Sequence, residues 1–116
     1  MPVFGECYGL EGVMGQRRVQ LEKLIKDFPD DPEVHYGLAM DSLSDGFWDQ
    51  GIHELQSIIL NYPTFIPSYL QLGQVFVREG FEDKAVEIYG KGIKIAKEVG
   101  DLKSADEMAR FLCLIS

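Results

Sequence analysis

The sequence predicts an all-α protein built as a solenoid of antiparallel helix pairs. The chain is similar to itself at a shift of 34 residues, a period typical of proteins that repeat one helix pair. Gly12, Gly46 and Gly80 follow this period, and so do Pro29 and Pro63. Apolar residues between them recur at three- and four-residue spacing, and no segment alternates as a strand would. We therefore expect stacked helices and no sheet.

The boundaries of the helices are indicated by capping and turn residues. Asp31 followed by Pro32 predicts a helix start, because an N-cap side chain precedes a proline that suits the first turn. Gly46 and Gly80 are expected in tight turns between paired helices. With these limits, helices are predicted near residues 2–11, 15–28, 32–45, 48–61, 65–79, 82–98 and 101–115.

Three copies of the repeat carry related residues at matching positions. The third copy contains Tyr69, Leu72, Gly73, Phe76, Gly80, Ala85, Tyr89 and Gly92. The middle copy contains His35, Leu38, Ala39, Gly46, Gly51, Leu55, Ile58 and Pro63. The first copy contains Phe4, Gly5, Tyr8, Gly12, Leu21, Leu24 and Pro29. In order and spacing, these residues resemble the tetratricopeptide repeat (TPR) family. Ser42 and Arg17 depart from the pattern, because the family has an aromatic residue and an alanine at those positions.

This resemblance implies a right-handed α-solenoid that ends in a capping helix. We expect one domain over residues 1–116, with a truncated first repeat at 1–31, a second at 32–65 and a third at 66–100. Residues 101–116 leave the register and form one apolar face, which consists of Leu102, Ala105, Met108, Ala109 and Leu112. A solenoid needs such a cap over its terminal helix, although a helix that binds a partner remains the alternative.

The charge of the chain limits its partners. The formal net charge is −8, which disfavours nucleic acid and anionic membranes. Residues 31–64 hold six acidic residues and no lysine or arginine, so this segment is either a solvated acidic face or a surface for a basic partner. No apolar run is long enough to span a bilayer, and the first residues do not resemble a signal peptide, so a cytoplasmic location is expected.

Residues that could perform chemistry are few, and their spacing predicts no catalytic site, metal site or cofactor. His35 falls at a packing position of the repeat, and His53 lies on a polar helix face. Cys7 and Cys113 are far apart in the sequence and match no metal-binding spacing. The glycine-rich segment 9–18 matches no nucleotide-binding fingerprint, and the repeat register already explains its Gly12 as a turn.

The resemblance also implies a binding surface, because in this family the first helix of each pair lines a concave groove. The positions that face the groove correspond here to Glu33, Tyr36, Met40, Leu43, Ser44, Pro67, Leu70, Gln74, Val77 and Arg78. The lysine and asparagine residues with which chaperone-binding members hold a terminal carboxylate are absent, so that specificity is not expected. Glu33 and Asp41 are expected to form an acidic rim around an apolar groove.

The predicted function is therefore that of a protein–protein interaction module, which holds a peptide or helix of another protein in the apolar groove. One alternative occupant is a second copy of this chain, and another is the chain's own terminal segment. In the alternative account, the chain is a self-associating or structural module, or a fragment of a longer solenoid with no ligand of its own.

Overall fold

The computed structural model describes residues 19–115, and these form helices joined by short turns. Residues 19–27 are helical (α1) and are followed by α2 (Pro32–Ser44), α3 (Trp48–Asn61), α4 (Ile66–Arg78), α5 (Glu82–Val99) and α6 (Leu102–Ile115). No strand occurs in this part of the chain, which confirms the predicted all-α class. The helix predicted at 2–11, the turn at Gly12, Arg17 and Cys7 lie outside the described residues.

The helix limits follow from the predicted capping residues. The Asp31 carboxylate accepts a hydrogen bond from the backbone N–H of Glu33 at 2.9 Å, and Pro32 begins α2. Gly46 and Gly80 adopt φ angles of 83° and 86°, a left-handed conformation that glycine adopts without steric cost. Gly100, with φ of 84°, ends α5 in the same way.

Each helix packs against the next one along the chain, from α2 through α6. This nearest-neighbour packing is the arrangement of a solenoid, in which each helix pair is stabilised by the pairs beside it. The core between the helices is formed by Ala39, Leu55, Ile58, Tyr69, Leu72, Phe76, Ala85, Tyr89, Ala96 and Met108. The repeat limits at 32–65 and 66–100 stay a prediction.

Glycine residues allow the close approach of α4 and α5. A Cβ atom on Gly73 would overlap the Tyr89 ring, and one on Gly92 would lie 2.7 Å from the Cβ of Tyr69. Each helix thus presents a glycine to the tyrosine of the other. The Tyr69 hydroxyl donates to the Pro63 carbonyl oxygen at 2.6 Å, so the polar end of this buried side chain has a partner.

Ser42, which departs from the family pattern, makes a polar contact between α2 and α3. Its side chain is buried, and its hydroxyl donates to the Glu54 carboxylate at 2.7 Å. A charge-assisted hydrogen bond thereby replaces the apolar contact that an aromatic residue would make at this position.

α6 covers α5, as predicted for a capping helix. Met108 and Ala105 are buried, and the Phe111 ring stacks on Tyr89 with centroids 6.0 Å apart. The predicted apolar face is wrong at two positions, because Leu102 is 66% exposed and Ala109 is exposed as well. Leu102 and Ala109 are seven residues apart and so lie on the same side of α6, at the margin of the face that buries Ala105 and Met108.

Candidate binding surface

A cleft of about 210 Å³ opens between α2 and α4, the first helices of their pairs. We call it the α2/α4 cleft. Its lining residues are Met40, Leu43, Ser44, Trp48, Gln71, Gln74, Val75 and Arg78. Five of the ten residues predicted to face the groove therefore lie together, namely Met40, Leu43, Ser44, Gln74 and Arg78.

The other five predicted groove residues do not line this cleft, and one of them, Pro67, is exposed at the start of α4. Tyr36 is half-buried and meets the edge of the Phe65 ring with centroids 5.5 Å apart. Burial raises the pKa of Tyr36, and a hydrogen bond with Gln71 acts in the opposite direction. Leu70 and Val77 are partly buried against the core. Glu33 is exposed in the first turn of α2.

Two side chains that were expected in the groove or on its rim are buried. Leu43 is only 8% exposed, and a Cβ on Gly51 would overlap its side chain, so Leu43 packs mainly against α3 and borders the cleft with a small part of its surface. Asp41 is 4% exposed and therefore does not form an acidic rim. The close approach of α2 and α3 therefore buries most of Leu43, a side chain that the repeat register places in the groove.

Trp48 is a cleft residue that the sequence reasoning missed. It begins α3, and the Arg78 guanidinium carbon lies 5.1 Å from the centroid of its ring, as in a cation–π contact. The sequence did contain a signal for Trp48. The matching position of the next repeat is Glu82, 34 residues further on, so this position of the repeat is not a core position, and a tryptophan at it is not explained by packing in the core. Gln71 was missed too, because it lies beside a predicted groove position and not on one.

A second cleft, of about 450 Å³, lies at the edge of the solenoid where the α2/α3 and α4/α5 turns come together. We call it the edge cleft. It is lined by Gly46, Phe47, Trp48, Asp49, Gln50 and Glu79, so that Trp48 borders both clefts. Phe47 is 59% exposed, and the side chains of Asp49 and Glu79 face solvent as well.

His35 and His53 hold the structural positions expected of them. His35 Nε2 lies 2.8 Å from the Pro29 carbonyl oxygen, which requires that this nitrogen donate the hydrogen bond. The His35 ring packs near Tyr62, with centroids 6.0 Å apart, and His53 is exposed.

Among the described residues, no group of histidine, cysteine, aspartate and glutamate side chains could hold a metal ion. No helix of residues 19–115 has both the length and the apolar character that crossing a bilayer requires.

The fold matches solved structures of TPR proteins, although no family model and no curated protein matches the sequence. The TPR2B domain of yeast Sti1, solved as a complex with pHsp70, aligns with 96% of this chain and 89% of its own at 17% identity, with a TM-score of 0.78. A TPR domain protein from Salinibacter ruber aligns with 76% of this chain and 89% of its own at 25% identity, with a TM-score of 0.73. MamA aligns with 96% of this chain and 71% of its own at 22% identity, with a TM-score of 0.62.

Proposed function

This chain is a TPR-like protein by its fold, and we propose that it is an interaction module that holds a segment of another protein in the α2/α4 cleft. The observation that supports this proposal most strongly is the composition of the cleft. Met40 and Trp48 offer apolar surface, Gln71 and Gln74 offer amide groups, and Arg78 lies at the end of α4.

The size of the cleft suits a side chain of a peptide. Sites for drug-sized molecules and cofactors enclose about 300–1,000 Å³, whereas this cleft encloses about 210 Å³. Methionine adapts its shape to different apolar partners, and tryptophan provides a large rigid surface. The amides of Gln71 and Gln74 are suited to hydrogen bonds with the backbone of a bound segment.

The chemistry of the cleft favours binding over catalysis. Arg78 is the one charged residue among those that line it, and no histidine or carboxylate is present in this lining to transfer a proton. Ser44 has no such base beside it within the lining, so nothing there activates it as a nucleophile. The Sti1 domain, which has the same fold and was solved with pHsp70, supports protein binding in general.

The proposal is tested with a displayed library of random peptides of about a dozen residues. A peptide selected by the native chain is measured by calorimetry against Met40→Glu combined with Gln74→Glu. The matched control combines Leu60→Glu with Gln56→Glu, because these side chains are exposed on α3, away from the cleft. Burial of an apolar anchor contributes about 1.5–3 kcal/mol, so the cleft variant should bind at least about tenfold more weakly.

Circular dichroism and the melting temperature show whether both variants fold. Equal binding by the cleft variant and the control would disprove the proposed site. Self-association is the alternative function, and light scattering on the native chain separates it: a dimer that the cleft variant turns into a monomer would show that a second copy occupies the cleft.

A further inference from the structure

The two turns at the edge cleft are built alike. In the α2/α3 turn, the backbone N–H of Phe47 donates to the Ser42 carbonyl at 2.9 Å. In the α4/α5 turn, the N–H of Phe81 donates to the Phe76 carbonyl at 2.7 Å. Each turn has a glycine with positive φ directly before its phenylalanine. Phe47 and Phe81 therefore hold equivalent positions, and their surroundings can be compared directly.

A cation lies over the phenylalanine of one turn. The Lys84 ammonium is 5.0 Å from the centroid of the Phe81 ring and 5.8 Å from that of Phe76. Lys84 follows Phe81 by three residues, in the first turn of α5. The electron-rich face of the aromatic ring attracts the ammonium group in this arrangement. The α4/α5 turn thus shows how this edge of the solenoid accommodates a lysine.

The phenylalanine of the other turn has no such cation. The position that matches Lys84 is Gln50, which carries no charge and whose amide donates to the Glu54 carboxylate. Within residues 19–115, no cation lies over the Phe47 ring, and neither Asp49 nor Glu79 takes part in an ion pair. An exposed aromatic ring therefore lies in the same cleft as two exposed carboxylates.

We propose that the edge cleft binds a lysine or arginine side chain of the partner, over the Phe47 ring and beside the carboxylates of Asp49 and Glu79. This inference rests on the proposed function, because Trp48 borders both clefts and a segment that leaves the α2/α4 cleft past Trp48 enters the edge cleft. The partner segment thus combines an apolar residue with a basic residue further along.

The charge around the edge cleft selects a basic side chain over an acidic one. Residues 46–50 and 78–84 contain four carboxylates, of Asp49, Glu79, Glu82 and Asp83, and two cationic groups, of Arg78 and Lys84. The helix dipole of α3 favours an anion at the N-terminus of this helix, within its first turn. The carboxylate of Asp49 lies in that turn and already interacts favourably with the dipole. An acidic partner residue would meet repulsion from the surrounding carboxylates.

Charge reversal tests this inference. The same peptide library is selected against the native chain and against Asp49→Lys combined with Glu79→Lys. The native chain should enrich peptides with lysine or arginine beside an apolar residue, and the reversed variant should enrich aspartate or glutamate there. The matched control combines Asp30→Lys with Glu98→Lys, two exposed carboxylates outside the edge cleft, and should keep the native preference.

A native-selected peptide should bind the reversed variant at least about tenfold more weakly. Its analogue, with norleucine in place of the basic residue, should bind both proteins alike. If the reversed variant does not fold, Asp49→Asn with Glu79→Gln should abolish the basic preference without reversing it. Selected peptides that share an apolar residue but no basic one would overturn the inference and leave the proposed function intact. Failure to select any peptide would overturn both.

Discussion

Glycine and tyrosine side chains set the distance between α4 and α5. Tyr89 lies against Gly73, and Tyr69 lies against Gly92, where a Cβ atom would also come within 2.7 Å of the Met108 sulfur. Because Tyr89 is 1% exposed and also stacks with the Phe111 ring, it has little room to move away from an added group. The fit of single residues therefore governs how two helices of the solenoid meet.

A methyl group at Gly73 should destabilise the protein. We expect Gly73→Ala to lower the free energy of unfolding by about 1–3 kcal/mol, because its Cβ would overlap Tyr89. Gly90→Ala is the matched control: Gly90 lies in α5, and an added Cβ meets no atom within 4 Å. It should stabilise the protein by up to about 1 kcal/mol through helix propensity. Thermal unfolding measures both, and a stabilised Gly73→Ala variant would contradict the packing described.

The buried tyrosines should make stability fall at high pH. Burial raises the pKa of Tyr69 and of Tyr89 above the ordinary value of about 10. The unfolded chain therefore loses these protons first, and the contribution to stability that is complete below pH about 10 is lost as pH rises further. Tyr89→Phe, measured by thermal unfolding, should reduce this loss. An equally steep decline in the variant would show that Tyr89 does not cause it.

At the level of the helix, α6 stabilises the solenoid by covering α5 with one face only. Met108 and Ala105 are buried against α5, whereas Leu114 is 82% exposed on the same helix. Within residues 19–115, α6 packs against α5 with one face, so its two faces differ in their contribution to stability. Leu102 and Leu114 accordingly belong to the exposed face despite their apolar character.

A charge on the buried face of α6 should be far more damaging than one on its exposed face. We expect Met108→Lys to lower the free energy of unfolding by about 3 kcal/mol or more, since it removes a buried apolar group and buries an ammonium. Leu114→Lys makes the same chemical change at an exposed position and should alter stability by about 0.5 kcal/mol or less. Equal melting temperatures for the two variants would show that α6 does not cap α5.

For the whole molecule, capping and turn residues predicted the fold well, because each of them determines the backbone conformation of residues next to it in the chain. The helix limits predicted from Asp31 with Pro32, and from Gly46 and Gly80, lie within a residue or two of those observed.

The groove was predicted less completely than the fold. The repeat register assigns a direction to each side chain, but the depth to which Leu43 is buried depends on Gly51 of another helix. Trp48 was missed for a related reason, since its contact with Arg78 joins two repeats.

Trp48 also makes it possible to test directly whether the α2/α4 cleft holds the partner segment. It is the one tryptophan of the chain and lines this cleft, so its fluorescence reports on a segment bound there. A library-selected peptide that contains no tryptophan is titrated into the native chain. We expect a saturable change in Trp48 emission with the dissociation constant that calorimetry gives. Binding by calorimetry with unchanged Trp48 emission would contradict it.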